Sequence, residues 1–514
     1  MPTLVPTDFY DYRMLGGAAL LLVGLGVFAW TMTVRLRLLA AGRPERRWDL
    51  VAKRIKALLV IAVGQRKMFK EPAAGLLHAF TFWGFCILGV RTTLLFVQAF
   101  VPELTLPFGL HGIYDLLKDL TEVIVLAAIF GWLYLRYVVK PVRIHYSFEA
   151  TLILFFIGGL MVSDFLYDGL HYGGLAKVDP AWLAHLHGPV GAAMAGHFAA
   201  SDHSAEGLQI AGEVFYWIHL AIVLIFLNLL PLSKHFHVIT ALPNVFLSRL
   251  EPKGALSLVD DLEGRIEREE SIGLGRAEDM SWKQILDLYT CTECGRCEVN
   301  CPAWNTDKPL NPKLIIKDLQ THLYDSKARL FTPADKRGEL EAITVDGAAI
   351  PPLAAAVNLD AIWSCTTCRS CSEQCPVMIE HIDKIIDVRR HMLMVRNEFP
   401  AELALTLKNL ETKSNPWGIS SGKRGDWAKN RDDVPTLKDK PNAEWLYYVG
   451  CAGSFDDRAM KVSEAVVKIL NAAGVDFAII GKKEKCSGDP ARRMGNEYLF
   501  QEQATANIAQ FDAA

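Results

Sequence analysis

Eight cysteines carry the clearest chemistry in this chain. They form two copies of one pattern: Cys291, Cys294, Cys297, Cys301-Pro302 and Cys365, Cys368, Cys371, Cys375-Pro376. This is C-x2-C-x2-C-x3-C-P twice, the spacing that holds a pair of [4Fe-4S] clusters. Soft thiolates suit iron-sulfur chemistry, and the tight spacing lets one turn of backbone present three sulfurs to one cubane. The fourth cysteine, followed by proline, turns toward the other cluster. The predicted sets are therefore Cys291, Cys294, Cys297 and Cys375 for one cluster, and Cys365, Cys368, Cys371 and Cys301 for the other. Zinc and disulfides are the competing uses, and zinc rarely takes four such closely spaced cysteines twice. Cys86 lies in an apolar run and reads as a small packing residue.

Histidines carry the second piece of chemistry. His78 lies near the start of a long apolar run; His219 and His237 lie on or just past another. Ionisable residues inside such runs are costly and often functional. His219 and His237 are 18 residues apart, five helical turns, so an unbroken helix brings both to one face about 27 Å apart. His78 and His237 then share a depth on antiparallel helices. Two neutral imidazoles so placed make a bis-histidine haem b site, whose full coordination favours electron transfer. Pro231 lies between the two histidines and threatens that register.

The elements that position these groups are membrane spans. Residues 14–34, 75–101, 120–139, 150–167 and 211–232 are long apolar stretches, and none follows residue 240. A span needs roughly 20 apolar residues. Eleven Lys and Arg lie between Arg35 and Lys70, and Arg136, Lys140 and Arg143 lie between spans three and four; residues 169–207 hold only Lys177. The positive-inside rule puts the basic connections in the cytoplasm. The N-terminus is then outside the cytoplasmic (inner) membrane, and everything after about Leu232 lies on its cytoplasmic side. Cytoplasmic placement argues against disulfides among the eight cysteines. Met1–Arg13 lacks the basic start of a cleavable signal. The formal net charge of -3 gives no reason to expect nucleic acid.

The 63 residues between the two cysteine motifs are too many for a compact ferredoxin of paired hairpins. Leu310–Tyr324 and Met378–Arg396 have helical spacing of apolar residues. The sequence thus predicts a multi-domain chain: a five-helix transmembrane bundle over 1–240, a linker over 241–274, a mostly α-helical two-cluster ferredoxin domain over 275–400, and a partial α/β cysteine-rich domain over 440–514. In the last, a strand near Leu446–Val449, a helix near Ala459–Ala473 and a strand near Asp476–Ile480 are expected.

Three resemblances extend this reading. Residues 216–240, Tyr-Trp-Ile-His-Leu through Leu-Pro-Leu-Ser-Lys-His-Phe-His, resemble the last helix of the gamma subunit of respiratory nitrate reductase, a five-helix dihaem cytochrome b. In that family two histidines on helix two and two on helix five hold two haems. His78, His219 and His237 match such positions, but the fourth, ten residues after His78, is Leu88. A second haem at His219 then requires a replacement ligand, for which His171 is the candidate. Cys451 and Cys486, 34 residues apart, resemble the opening of the cysteine-rich domain of heterodisulfide reductases. Ser487 stands where a second cysteine is usual, and two sulfurs hold a third iron-sulfur cluster only if the motif is completed beyond Ala514.

The order of modules resembles the large membrane oxidoreductases of the electron-transfer flavoprotein:menaquinone type. That resemblance implies electron-transfer flavoprotein as soluble donor and menaquinone in the lipid bilayer as acceptor. Two other readings stand beside it: a heterodisulfide- or sulfur-reductase-like complex fed by quinol, and a non-catalytic electron wire. No Gly-rich flavin fingerprint is present, so flavin has to arrive on a partner. Lys118, Asp119 and Glu122 on span three are candidates for quinone protonation, with an interfacial charge cluster as the alternative.

Overall fold

The computed structural model describes the chain apart from residues 1–6, 102–103, 108, 145, 334, 338–343, 346–347, 350–352 and 513–514. Ala514, where the cysteine-rich motif is expected to break off, lies outside the described residues.

Among the described residues, five helices are long and apolar enough to cross a membrane: Tyr12–Ala40, Pro72–Gln98, Leu110–Val139, Phe148–Ala176 and Ala205–Leu232. The shortest has 27 residues, or about 40 Å at 1.5 Å per residue, more than the roughly 30 Å of hydrocarbon. Ser147 and Ser204 cap the fourth and fifth spans by accepting N–H groups from Ala150 and Gly207. This satisfies donors that a helix start leaves orphaned. Leu22, Val23 and Trp30 on the first span are exposed, an apolar surface that lipid covers. The fourth span makes the most extensive contacts, against the fifth span and against a short helix, Pro189–Ala200, in the connection between them.

The fifth span departs from the sequence expectation at its end. Its α-helix stops at Leu229, a 3-10 turn holds Pro231, and Ser233 is extended with its hydroxyl accepting the His235 N–H. A new helix then runs over His237–Phe246. His219 and His237 are therefore not on one unbroken helix, and the five-turn register does not hold. The reason is local: Pro231 lacks a donor and Ser233 offers the backbone a cap instead. Arg35 of the first span donates to the Pro231 carbonyl at 2.9 Å.

The cysteine motifs lie in a largely helical domain built on Trp282–Thr290, Pro312–Asp325 and His381–Arg390. The first has a capping box between Ser281 and Gln284, and Asn311 caps the second. Its apolar core takes in Leu38 from the first span and Phe236 from the break after the fifth, so domain and bundle share one core. The stretch expected to be a linker is packed as well: Leu256 and Leu274 are buried in that same core. At the centre, Asp287 sits between Lys283 at 2.7 Å and Lys384 at 2.5 Å, all three fully buried. The two ammonium groups hold the Asp287 carboxyl well below the usual range against the opposing effect of burial.

The last module is small and α/β. Trp445–Leu446 pairs in parallel with Phe477–Ala478, and the crossover is the Asp457–Ala472 helix, capped by Asp456. This short sheet and the helices around it rest on the cluster domain through Gly495. Its φ is +95°, and a Cβ on it would lie 2.6 Å from the Arg389 carbonyl carbon.

Candidate functional site

The eight cysteines meet in two groups, and the groups cross between motifs. Cys375 lies within electrostatic reach of Cys291, Cys294 and Cys297. Cys365 is coupled to Cys301 and Cys368, and Cys371 to Cys365 and Cys368. A cavity is lined by Cys301, Cys365, Cys368 and Cys371 with Ile382 and Ile385. The two groups are themselves neighbours through Cys297 and Cys371.

Among the described residues no three His, Cys, Asp or Glu side chains converge as a single metal ion needs. A cubane spreads its thiolates over four irons, whereas zinc draws its sulfurs to about 2.3 Å from one centre. Two crossed sets of four thiols are the donor set that two cubanes would take. Burial pushes the Cys291 thiol up to about 12 and the Cys375 thiol to about 11, with neighbouring sulfurs acting in the same direction. Bound iron supplies the positive charge that reverses this. Backbone N–H groups of Thr367 and Ile379 donate to the sulfurs of Cys365 and Cys375 at 3.4 Å each. Such bonds tune cluster potential.

The first group is docked on the membrane bundle. Arg296, between Cys294 and Cys297, donates to the carbonyls of Lys67 at 2.7 Å and Met68 at 3.0 Å and pairs with Glu71 at 3.2 Å. Arg143, in the connection before the fourth span, donates to the Cys294 carbonyl at 2.7 Å and pairs with Glu71. Lys67 reaches the Ser372 and Cys375 carbonyls at 3.2 and 3.3 Å. These contacts lie just before the second span, two helical turns ahead of His78.

His78 and His237 are brought together. His78 lies within electrostatic reach of His237, and Arg296 within reach of His78. Burial pushes the His237 imidazole down to about 3, which keeps it neutral as a ligand must be. Its Nδ1 bonds the Lys234 carbonyl at 2.9 Å, which fixes the tautomer and leaves Nε2 as the free lone pair, the arrangement of metal-bound histidines. His78 Nδ1 is buried without a hydrogen-bond partner. A buried imidazole with an unpartnered Nδ1, within electrostatic reach of a second whose tautomer is fixed, is a donor pair that would suit haem iron.

His219 is elsewhere. Its Nδ1 faces the Ser163 hydroxyl at 3.2 Å and its Nε2 has no partner. His171 stacks on Tyr167 and lies against Gly212, eight residues along the span from Ser163, about 12 Å. It does not face His219. Leu88 is buried with Val125, Ile129 and Met161.

Cys451 and Cys486 lie side by side. The Arg424 guanidinium donates to the Cys451 sulfur at 3.3 Å and pairs with buried Glu484 at 2.8 Å. The hydrogen bond from Cys486, with Arg424 adding, draws the Cys451 thiol down to about 7 despite burial. The module touches the second cysteine group: Arg389 donates to the Cys365 carbonyl at 2.7 Å and to the Arg493 carbonyl at 2.7 Å, and Arg493 donates to Thr367.

Sequence reasoning missed the docking roles of Arg143, counted only among the basic residues before the fourth span, and of Arg296, whose place between two cluster cysteines was the available signal; it missed Arg424 as well, which nothing local distinguishes from a surface arginine. It also missed Arg91, Asp164 and Asp168, charged residues inside apolar spans, for which that placement was itself the available signal.

Comparison with known proteins fits this layout. The family of 4Fe-4S dicluster domains matches residues 290–379, and the cysteine-rich domain family matches 445–514. The probable iron-sulfur-binding oxidoreductase FadF of Bacillus subtilis is 35% identical over 95% of this chain and 71% of its own length. The EtfAB:quinone oxidoreductase of Syntrophomonas wolfei is 33% identical over 99% of this chain and 72% of its own. One subunit of the dihydromethanophenazine:CoB–CoM heterodisulfide reductase of Methanosarcina mazei is 26% identical over 42% of this chain and 49% of its own. No solved structure gives a significant match.

Proposed function

Since this chain belongs to the family of membrane iron-sulfur oxidoreductases that includes the Bacillus subtilis and Syntrophomonas wolfei proteins, we propose that it carries electrons from a reduced soluble flavoprotein, of the electron-transfer flavoprotein type, to menaquinone. Electron transfer through iron-sulfur clusters in a multi-pass membrane oxidoreductase is what the family shares; the donor, the haem and the menaquinone are this reading's own. The observation that carries it is the seat of Arg296. One guanidinium, held between two cluster cysteines, joins the cluster loop to the Lys67–Glu71 turn that leads into the helix of His78.

The residues divide the work. The two crossed cysteine sets would hold two cubanes, with Thr367 and Ile379 donating to sulfur. His78 and His237 would hold a haem b, which when bound supplies a one-electron carrier at the membrane face of the cluster domain. Lys234 fixes the His237 tautomer through its carbonyl. Arg143, Arg296 and Lys67 hold the first cysteine set against the bundle and supply positive charge beside a thiolate-rich centre. Arg389 and Arg493 join the second set to the Cys451–Cys486 module, so the modules form a series from that pair to His78.

The Cys451–Cys486 pair and the similarity to the heterodisulfide reductase favour a second reading, quinol oxidation with delivery to a disulfide. Anaerobic assays separate the two. On the first reading, reduced electron-transfer flavoprotein supports turnover of a menaquinone analogue by the full chain in lipid. Turnover of menaquinol with a disulfide, and none with the flavoprotein, would install the second.

A further inference from the structure

Inside the bundle, away from the cysteines, two cations face five carboxylates: Arg91 and Lys118 against Asp115, Asp119, Glu122, Asp164 and Asp168, the six besides Arg91 being buried. Four of the carboxylates have at least one partnered oxygen, although Asp119 Oδ1, 4.0 Å from Lys118, has no hydrogen-bond partner of its own. Asp115 accepts the N–H groups of His187 at 2.6 Å and Gly188 at 2.9 Å. Asp119 accepts those of Val190 at 2.6 Å and Gly191 at 3.2 Å, at the positive start of the Pro189–Ala200 helix. Asp168 is 2.5 Å from both Arg91 and Lys118, and Asp164 is 3.0 Å from Arg91 and 3.5 Å from Lys118.

Glu122 is the fifth. Its Oε2 has no hydrogen-bond partner and its nearest cation, Lys118, is 3.9 Å away. Its carboxyl lies within hydrogen-bond reach of Asp164. Two carboxylates in contact do not both ionise, because like charges at that distance repel strongly in a poorly solvated site. A proton between them resolves both the contact and the charge count. The fifth span adds an independent unsatisfied group: His219, 3% exposed, is within electrostatic reach of Asp164, and its Nε2 has no partner.

We propose that the Glu122–Asp164 pair is a buried proton-exchange site that serves quinone reduction within the bundle. The inference rests on the quinone reading for its substrate. A quinone takes two electrons and two protons to become quinol. The electrons come from the chain's reduced carriers. For each proton taken here, the Glu122 O–H bond breaks and an O–H bond forms on a quinone oxygen; the carboxylate then regains a proton from water. Asp119 and Asp115, on the same helix and turned to the Pro189–Ala200 connection, mark the end from which that water proton comes. Lys118 and Arg91, facing from the third and second spans, stabilise the extra negative charge in the interval. Such a role explains why a net excess of acid is tolerated in a bundle where each unpaired charge is costly.

The test compares the full chain with its Glu122→Gln variant in lipid nanodiscs. The infrared spectrum of the resting wild type is expected to hold a protonated-carboxyl band that shifts in D2O and is missing from the variant. The rate of menaquinone-analogue reduction by the dithionite-reduced protein is expected to fall about a hundredfold, the usual worth of a positioned proton donor. Oxidation of the same reduced protein by ferricyanide, which needs no proton, is expected to be unchanged. Identical infrared spectra in wild type and variant overturn the proposal, as does an unchanged rate of quinone reduction. A wild type that reduces no quinone at all defeats the functional reading instead, and the carboxyl band then decides the proton site alone. Asp119→Asn, which keeps the acceptor to Val190 and Gly191, is expected to slow deuterium exchange of the band without removing it.

Discussion

Gly295 and Arg143 touch so closely that no side chain fits between them. Gly295 has φ +73°, and a Cβ built on it would collide with the Arg143 carbonyl oxygen. The cysteine loop and the membrane bundle therefore meet backbone to backbone, and the Arg143 side chain then closes on the Cys294 carbonyl.

Gly295→Ala is accordingly expected to cost about 1–3 kcal/mol, from the left-handed backbone and the collision together. Thermal unfolding of the full chain reads this as a lower Tm. Gly254→Ala, where a Cβ meets nothing, is the control and should leave Tm unchanged.

Crossed ligation has a signature of its own. Intact protein should hold about eight irons in the cluster domain, four per cubane. Cys301→Ser should perturb the cluster held by Cys365, Cys368 and Cys371, and Cys375→Ser the other one. Paramagnetic resonance of the reduced variants distinguishes them. If Cys301→Ser altered the same signal as Cys291→Ser, the crossed assignment would fail.

The histidines divide in the same way. His78→Ala and His237→Ala should each abolish one low-spin haem signal, the same one. His219→Ala should retain it, since His219 faces Ser163 rather than His78. Visible spectra of the reduced proteins settle the pairing.

Cys451 should be the reactive thiol of the third module. In iron-free protein its alkylation should turn on with a midpoint near pH 7, the value to which Cys486 and Arg424 draw it. The thiolate is the nucleophile, so reactivity is present above that pH and lost as pH falls below it. Arg424→Met, by removing the guanidinium, should move the midpoint upward.

Much of this layout is legible in the sequence because the signals are local. Cys-x-x-Cys spacing and twenty-residue apolar runs report on ligands and spans that need no distant partner to be recognised, and the helices at Pro312–Asp325 and His381–Arg390 fall where apolar periodicity puts them. The His219–His237 register fails because it assumes an unbroken helix. Pro231 and the Ser233 cap end that helix, yet His237, at the start of the next one, still lies within electrostatic reach of His78. The docking of Arg296 on Lys67 joins residues 229 positions apart, and no local pattern encodes such a contact. The Glu122–Asp164 contact is half visible: span three's charges stand out, but their partners lie one span away.

On the proposed path, electrons reach the membrane through the cysteine set that Arg296 holds against the bundle. Stopped-flow mixing of the oxidised full chain with reduced electron-transfer flavoprotein, watching cluster bleaching and the haem band together, tests it most directly. Cluster reduction is expected to precede haem reduction, and Cys291→Ser is expected to abolish the haem phase while haem content is unchanged. Haem reduction at the wild-type rate in Cys291→Ser would contradict the proposed path.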